Sequence, residues 1–203
     1  MPPHRTSGIL EAVSCNTKSE LLRALQQGRD VLLWKLEGLG EYDRRRPLTP
    51  TGTNLLGLVK HAAWTESEYF TDAFDRPLEP PLPWTDEGDD PNVDLWATPE
   101  ETTETVTDTY RRIWAHTNAV VTELDLGTTG RIPWWDEPEP TLHRVLAHMI
   151  AETHRHAGHA DILRESLDGA AGLTPGFSNL PSDDPQYWTD HRNRVEQAAA
   201  RFR

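Results

Sequence analysis

The chain has a single cysteine, Cys15, and lacks any long apolar run. One cysteine cannot form an internal disulfide, so the composition suits a reducing compartment. The first residues, Met-Pro-Pro-His-Arg, lead into mixed polar sequence without the apolar segment of a secretory signal. No stretch approaches the length of a transmembrane helix. We therefore expect a cytoplasmic protein that does not cross a membrane.

Basic residues are also scarce. The chain has 20 Lys and Arg against 33 Asp and Glu, which gives a net charge of -13. Proteins that bind nucleic acids or anionic membranes in a general way carry a basic surface, so this balance argues against both classes. A length of 203 residues suits one domain with a substantial core.

Apolar residues recur at helical spacing, and no segment alternates as a strand does. The capping-box sequence Thr17-Lys-Ser-Glu20 predicts the start of a first helix that ends near Leu39. Further helices are predicted from about residue 53, from 98 to about 124, from about 140 to 167 and over about 184–201. This pattern predicts an all-α four-helix bundle with an additional short C-terminal helix. Residues 1–16 are expected to form a flexible arm, and residues 17–203 one domain.

The predicted fourth helix carries a carboxylate and a histidine on its apolar side. Glu152 and His156 are four residues apart and fall near the middle of the arc that contains Met149, whereas His154 points elsewhere. A buried charge must be paired or must bind a metal ion, because leaving it alone costs several kcal/mol. The pair therefore indicates either a metal site or a core histidine that is hydrogen-bonded to a neighbouring carboxylate.

His61, in the predicted second helix, is the candidate third ligand. It lies at the edge of the face that should pack inward. Together with Glu152 and His156 it would supply two imidazoles and one carboxylate, a set that suits zinc or another divalent transition ion and leaves a position for water or substrate. Spacing alone does not tell whether the second and fourth helices meet.

Trp134 and Trp135 lie in a proline-rich loop before the fourth predicted helix. Two adjacent indoles can either pack the loop onto the core or close a pocket. Packing is the simpler interpretation.

Several motifs of the chain resemble the DinB-like (YfiT-like) metal-binding superfamily, in the actinobacterial branch that is related to mycothiol-dependent enzymes. The resemblance covers roughly residues 17–200. Its most specific parts are Leu55-Leu-Gly-Leu-Val-Lys-His61 and the run from Ala151-Glu-Thr-His-Arg-His156 to Glu165, and it also includes residues 69–77, 94–99, 110–114, 133–135 and 141–144.

The resemblance implies a four-helix bundle with a buried divalent-metal site. The family histidine of the second helix falls on His61, and the family pair of the fourth helix falls on Glu152 and His156. Many members have histidine where this chain has Glu152, but the mycothiol-dependent isomerases that it resembles have glutamate. His159 follows the last ligand at a position that is commonly polar in the family, so His159, and His148 on the same side, are candidates to support the ligands. Zinc is the expected ion, and nickel, iron, manganese and cobalt are the alternatives.

Three functions are compatible with this reading. In the first, the metal activates a low-molecular-weight thiol such as mycothiol, and the protein is a transferase or isomerase that acts on a small electrophile. In the second, metal-bound water makes the protein a hydrolase. In the third, the protein is a noncatalytic, metal-stabilised binding or stress-response protein. The resemblance favours the first function. Members of the family are often dimers, so a homodimer is compatible with the resemblance, but the sequence does not settle the oligomeric state.

Overall fold

The computed structural model describes the backbone of residues 6–84 and 90–203, with side chains from residue 17 onward in those ranges. The fold is all-α. The helices are α1 (Thr6–Trp34), α2 (Glu41–Arg45), α3 (Leu55–Phe70), α4 (Thr103–Glu123), α5 (Leu142–Asp168) and α6 (Pro185–Ala200). Within the described ranges the backbone forms no strand, only isolated bridges such as Thr129 to Thr141.

Most predicted helix ends are confirmed, and side-chain caps explain them. Asn54 and Thr141 accept hydrogen bonds from backbone N–H groups in the first turns of α3 and α5, which would otherwise lack partners. At its far end α5 stops at Gly169, whose φ of 79° is a left-handed conformation that glycine adopts without strain.

The predicted start of α4 at Thr98 is wrong by a few residues. The carboxylate of Glu101 does accept a hydrogen bond from the Thr98 N–H at 2.7 Å, as in a capping box, but the helix begins at Thr103. The same carboxylate also binds the ammonium group of Lys60 on α3, at 2.8 Å. Residues 98–101 therefore form a turn that is held against α3.

The N-terminal part of the chain also differs from the prediction. α1 begins at Thr6 rather than at Thr17, so the capping-box sequence lies inside a helix and residues 6–16 extend it. α1 ends at Trp34, before the predicted Leu39, and the short helix α2 occupies a region that was predicted as a loop. Residues 1–5, which belong to the predicted arm, lie outside the described residues.

Helices α1, α3, α4 and α5 pack on one another in pairs. α5 packs along α1, α3 packs along α4, and α3 also contacts α5, which brings the two halves together. The buried side of α5 includes Leu146, Met149, Thr153 and Ala157. No described helix is both long and apolar enough to serve as a membrane span.

The burial of Glu152 predicted from the helical spacing is wrong. Glu152 was predicted near the middle of the buried side of α5, but 38% of its side chain is exposed, and His156 is 15% exposed. Both residues lie at the edge of the buried side, where α5 meets α3. The burial cost that was expected for Glu152 is correspondingly smaller.

Candidate functional site

A cavity between α3 and α5 brings the candidate ligands together. It has a volume of about 310 Å³, and the described side chains around it come from these two helices: His61, Thr65, Tyr69, His148, Met149, Glu152 and His156. His61 thus reaches the same space as the pair on α5, which spacing alone did not establish. His159 is absent from this set.

The two candidate histidines are in direct ring contact. The rings of His61 and His156 meet edge to face with their centroids 4.7 Å apart. Nε2 of His156 lies 3.8 Å from a carboxylate oxygen of Glu152, which is too long for a hydrogen bond. Glu152 and His156 therefore do not form the hydrogen-bonded core pair that was the alternative explanation of their spacing.

His61 does have a carboxylate partner, which the sequence did not reveal. Nδ1 of His61 lies 2.6 Å from Oδ2 of Asp94, a residue of the connection between α3 and α4. Asp94 is separated from His61 by 33 positions. No spacing rule links them, so only the folded path of this connection could identify the contact.

His156 is held in its neutral form. Burial and, to a lesser extent, the nearby ring of His61 lower the pKa of His156 to about 4, while Glu152 acts in the opposite direction. Nδ1 of His156 is buried without a hydrogen-bond partner among the described residues. An imidazole in this state keeps a free lone pair at neutral pH, as a metal ligand must.

Aromatic side chains border the cavity on the side of His148. The ring centroid of His148 lies 5.1 Å from that of Tyr69 and 4.9 Å from that of Trp135. The indole N–H of Trp135 also donates a hydrogen bond to the hydroxyl of Tyr69, at 3.2 Å. Trp134 contacts Tyr69 as well, but it is 61% exposed. The proline-rich loop thus places its tryptophans beside the cavity. The same position is compatible with both earlier interpretations, in which the indoles pack the loop onto the core or close a pocket.

The other histidines of α5 have different surroundings. His159 is exposed and its ring lies 5.6 Å from that of His156. His154 faces α1, because its Nε2 lies 3.0 Å from the backbone carbonyl oxygen of Ala24. The prediction that His154 points away from Glu152 and His156 is confirmed.

The donor set fits a divalent transition ion in chemistry, though its side chains are not in ligating positions. No group of three or more His, Cys, Asp or Glu side chains in the described part of the chain has the arrangement to hold a metal ion. Two imidazoles and a carboxylate around one cavity, with a buried imidazole nitrogen that has no partner, are nevertheless what such an ion needs. Metal binding would require the side chains on α5, Glu152 and His156, to change rotamer.

The family model for mycothiol S-transferases matches residues 20–169. The matched region runs from within α1 to the glycine that ends α5, so it includes both helices that form the cavity. Comparison with curated proteins gives no significant match.

Proposed function

Because the chain belongs to the mycothiol S-transferase family, we propose that it joins mycothiol, or a related low-molecular-weight thiol, through its sulfur to a small electrophile, with a divalent cation held by His61, Glu152 and His156. Zinc is the first candidate for the cation. A divalent cation in this cavity would favour thiolate over thiol and so make the sulfur nucleophilic at neutral pH.

The observation that carries the proposal is the convergence of these three side chains on one cavity in a member of this family. Each has a distinct contribution. His156 is neutral at physiological pH and therefore offers a nitrogen lone pair, Glu152 contributes a carboxylate, and His61 adds a second imidazole whose Nδ1 contacts Asp94. Three protein ligands leave a fourth position for the sulfur.

The remaining lining of the cavity suits a small, reactive ligand. Met149 is buried and apolar, and the hydroxyl of Thr65 is hydrogen-bonded to the backbone carbonyl of His61 at 2.9 Å. Tyr69 accepts a hydrogen bond from Trp135, so its own hydroxyl proton is available to an anionic group in the cavity. A volume of about 310 Å³ accommodates the sulfur-bearing end of a thiol and a small electrophile.

Elemental analysis of freshly purified protein, followed by a thiol-consumption assay with and without metal, tests this proposal. The proposal predicts about one divalent ion per chain and equal consumption of thiol and electrophile that ceases when the metal is removed. Turnover of the substrate without thiol would instead identify a hydrolase. Full metal occupancy without turnover of any electrophile would favour the noncatalytic alternative.

A further inference from the structure

We propose that Asp94 is a positioning residue for His61, and that α3 is built to hold the segment at residues 93–96, here called the docked segment, so that Asp94 reaches it. The inference concerns the orientation and protonated nitrogen of His61. The orientation itself does not depend on the proposed function. Its purpose, which is to present Nε2 to a cation, does rest on the proposed function.

The docked segment is fastened to one side of α3 at successive turns. At the beginning of the helix, the side-chain amide of Asn54 donates a hydrogen bond to the carbonyl of Leu95 at 3.3 Å. Two turns later, the ammonium group of Lys60 donates to the carbonyls of Val93 at 2.7 Å and Trp96 at 3.0 Å. These contacts fix the backbone on both sides of Asp94.

Gly57 allows the docked segment to come this close. It lies between Asn54 and Lys60 on the same side of α3, and a Cβ atom at this position would lie 1.9 Å from the carbonyl oxygen of Leu95. That separation is far shorter than any real contact, so every other residue type would push the segment away. A glycine inside a helix costs about 0.5–1 kcal/mol relative to alanine. Here that cost is offset by the approach that it permits.

Lys60 makes the arrangement rigid because its charge is fully buried. The side chain has 0% exposure and forms an ion pair with Glu101, which is 18% exposed, at 2.8 Å. A buried ammonium group needs all of its hydrogen bonds, and the carboxylate of Glu101 and two carbonyls of the docked segment supply them. Lys60 is also the neighbour of His61 in the chain. The residue that anchors the segment is thus adjacent to the residue that Asp94 contacts.

The chemistry of the contact selects one tautomer of His61. An ionised carboxylate can only accept hydrogen bonds, so Nδ1 of His61 must carry the proton that it donates to Asp94. Nε2 is then the nitrogen with the free lone pair. Histidines that bind metals through Nε2 commonly donate the other N–H to a carboxylate, and losing that partner typically costs 10–100-fold in metal affinity.

The tautomer can be measured in metal-free protein, independently of activity. In protein labelled with ¹⁵N-histidine, long-range ¹H–¹⁵N correlation spectra at about pH 8 distinguish Nδ1–H from Nε2–H, and His61→Gln identifies the signals of His61. We expect the Nδ1–H tautomer in the wild type and a shift toward Nε2–H in Asp94→Asn, since an amide in place of the carboxylate selects the wrong tautomer in the serine-protease triad. An Nε2–H tautomer in the wild type, or an unchanged tautomer in Asp94→Asn, would overturn the inference.

A second pair of variants tests the docked segment. Gly57→Ala should shift the His61 tautomer as Asp94→Asn does, because the new methyl group displaces Leu95. Gly158→Ala is the matched control, since a Cβ at this α5 position meets no atom within 4 Å, and it should leave the tautomer unchanged. A wild-type tautomer in Gly57→Ala would contradict the role of the segment.

Zinc titration of the same proteins separates this inference from the proposed function. We expect Asp94→Asn to bind zinc about 10–100-fold more weakly than the wild type. If the wild type binds no divalent ion, the proposed function fails, but the tautomer measurements still decide the inference. If Asp94→Asn binds zinc as tightly as the wild type, the positioning role fails while the metal site stands.

Discussion

The rings of His61 and His156 meet edge to face, with centroids 4.7 Å apart and an interplanar angle of 83°. This contact places α3 and α5 side by side at the cavity. Glu152 lies one turn before His156 on α5, with its carboxylate 3.8 Å from the His156 ring nitrogen. Glu152 and His156 therefore lie close enough to His61 for changes in their own rotamers to direct all three side chains at one ion.

The first prediction is that His61, Glu152 and His156 act together as ligands. Replacing any one of them with alanine should weaken zinc binding more than about 100-fold, because even the partners of metal ligands contribute 10–100-fold. Isothermal titration calorimetry of each variant measures the change. His154→Ala is the matched control on the same helix, since His154 contacts the carbonyl of Ala24 on α1, and it should bind zinc normally. Loss of the metal in His154→Ala but not in His156→Ala would show that the assignment is wrong.

The second prediction concerns Tyr69, whose hydroxyl we expect to stabilise an anionic group during the reaction. Tyr69→Phe should lower kcat by about 10²-fold or more, which is the usual loss when a group that donates a proton or a hydrogen bond in the reaction is removed. The zinc affinity should be unchanged. Steady-state kinetics with saturating thiol, together with zinc titration, separates the two effects. The exposed Tyr42→Phe is the control and should retain wild-type kinetics. An unaltered kcat in Tyr69→Phe would remove Tyr69 from the reaction.

The helices of this chain were largely predictable from sequence because local signals mark most of their ends. Asn54, Thr141 and Gly169 act through contacts within a few residues, so their effect can be predicted without the fold. The turn at 98–101 could not be predicted in this way. Its capping-box pattern is present, but the same carboxylate also binds Lys60, a buried lysine on another helix. The helix itself begins only at Thr103.

The site was predictable to a lesser extent. His61, Glu152 and His156 could be selected from their spacing and from the resemblance, and the structure places all three around one cavity. Asp94 and Tyr69 could not be selected in this way, because their contacts with His61 and Trp135 join residues that are distant in sequence. The depth of Glu152 was also overestimated, since the buried side of α5 is set by packing against both α1 and α3 rather than by the apolar pattern alone.

The third prediction is a pH dependence of stability in the metal-free protein. The pKa of His156 is lowered from 6.5 to about 4, chiefly by burial. Below pH 6.5 the unfolded chain therefore binds a proton at this position more readily than the folded chain does. The contribution of His156 to the free energy of unfolding should consequently fall as the pH decreases from 6.5 toward 4.

Urea denaturation of metal-free protein across this pH window measures the effect. His156→Gln should show a smaller loss of stability between pH 6.5 and 4 than the wild type, because it lacks the titrating group. His143→Gln, at an exposed position of α5, should retain the wild-type dependence. Equal dependence in all three proteins would contradict the assignment of a neutral, buried His156.

The fourth prediction concerns the ion pair between Arg29 on α1 and Glu66 on α3, both of which have 0% side-chain exposure. Arg29 also donates hydrogen bonds to Gln26 and Asn118. Arg29→Met leaves Glu66 buried without its cation, so the free energy of unfolding should fall by about 3–5 kcal/mol. Urea denaturation measures this change.

The control for this prediction is an exposed pair of the same kind. Arg203 and Glu196 form an ion pair with 80% and 63% of their side chains exposed. Arg203→Met should therefore change the free energy of unfolding by less than about 1 kcal/mol. A loss in Arg29→Met as small as that in the control would mean that Glu66 is not held as a buried charge.

The central claim is that a cation held by His61, Glu152 and His156 keeps one position open for a thiol. The most direct test is a titration of cobalt-substituted protein with mycothiol, or a related thiol, followed by absorption spectroscopy. We predict a sulfur-to-cobalt charge-transfer band that saturates at about one thiol per cobalt, because three protein ligands leave a vacancy. An unchanged spectrum at full cobalt occupancy would mean that the site is closed to thiols, and it would contradict the proposed transferase function.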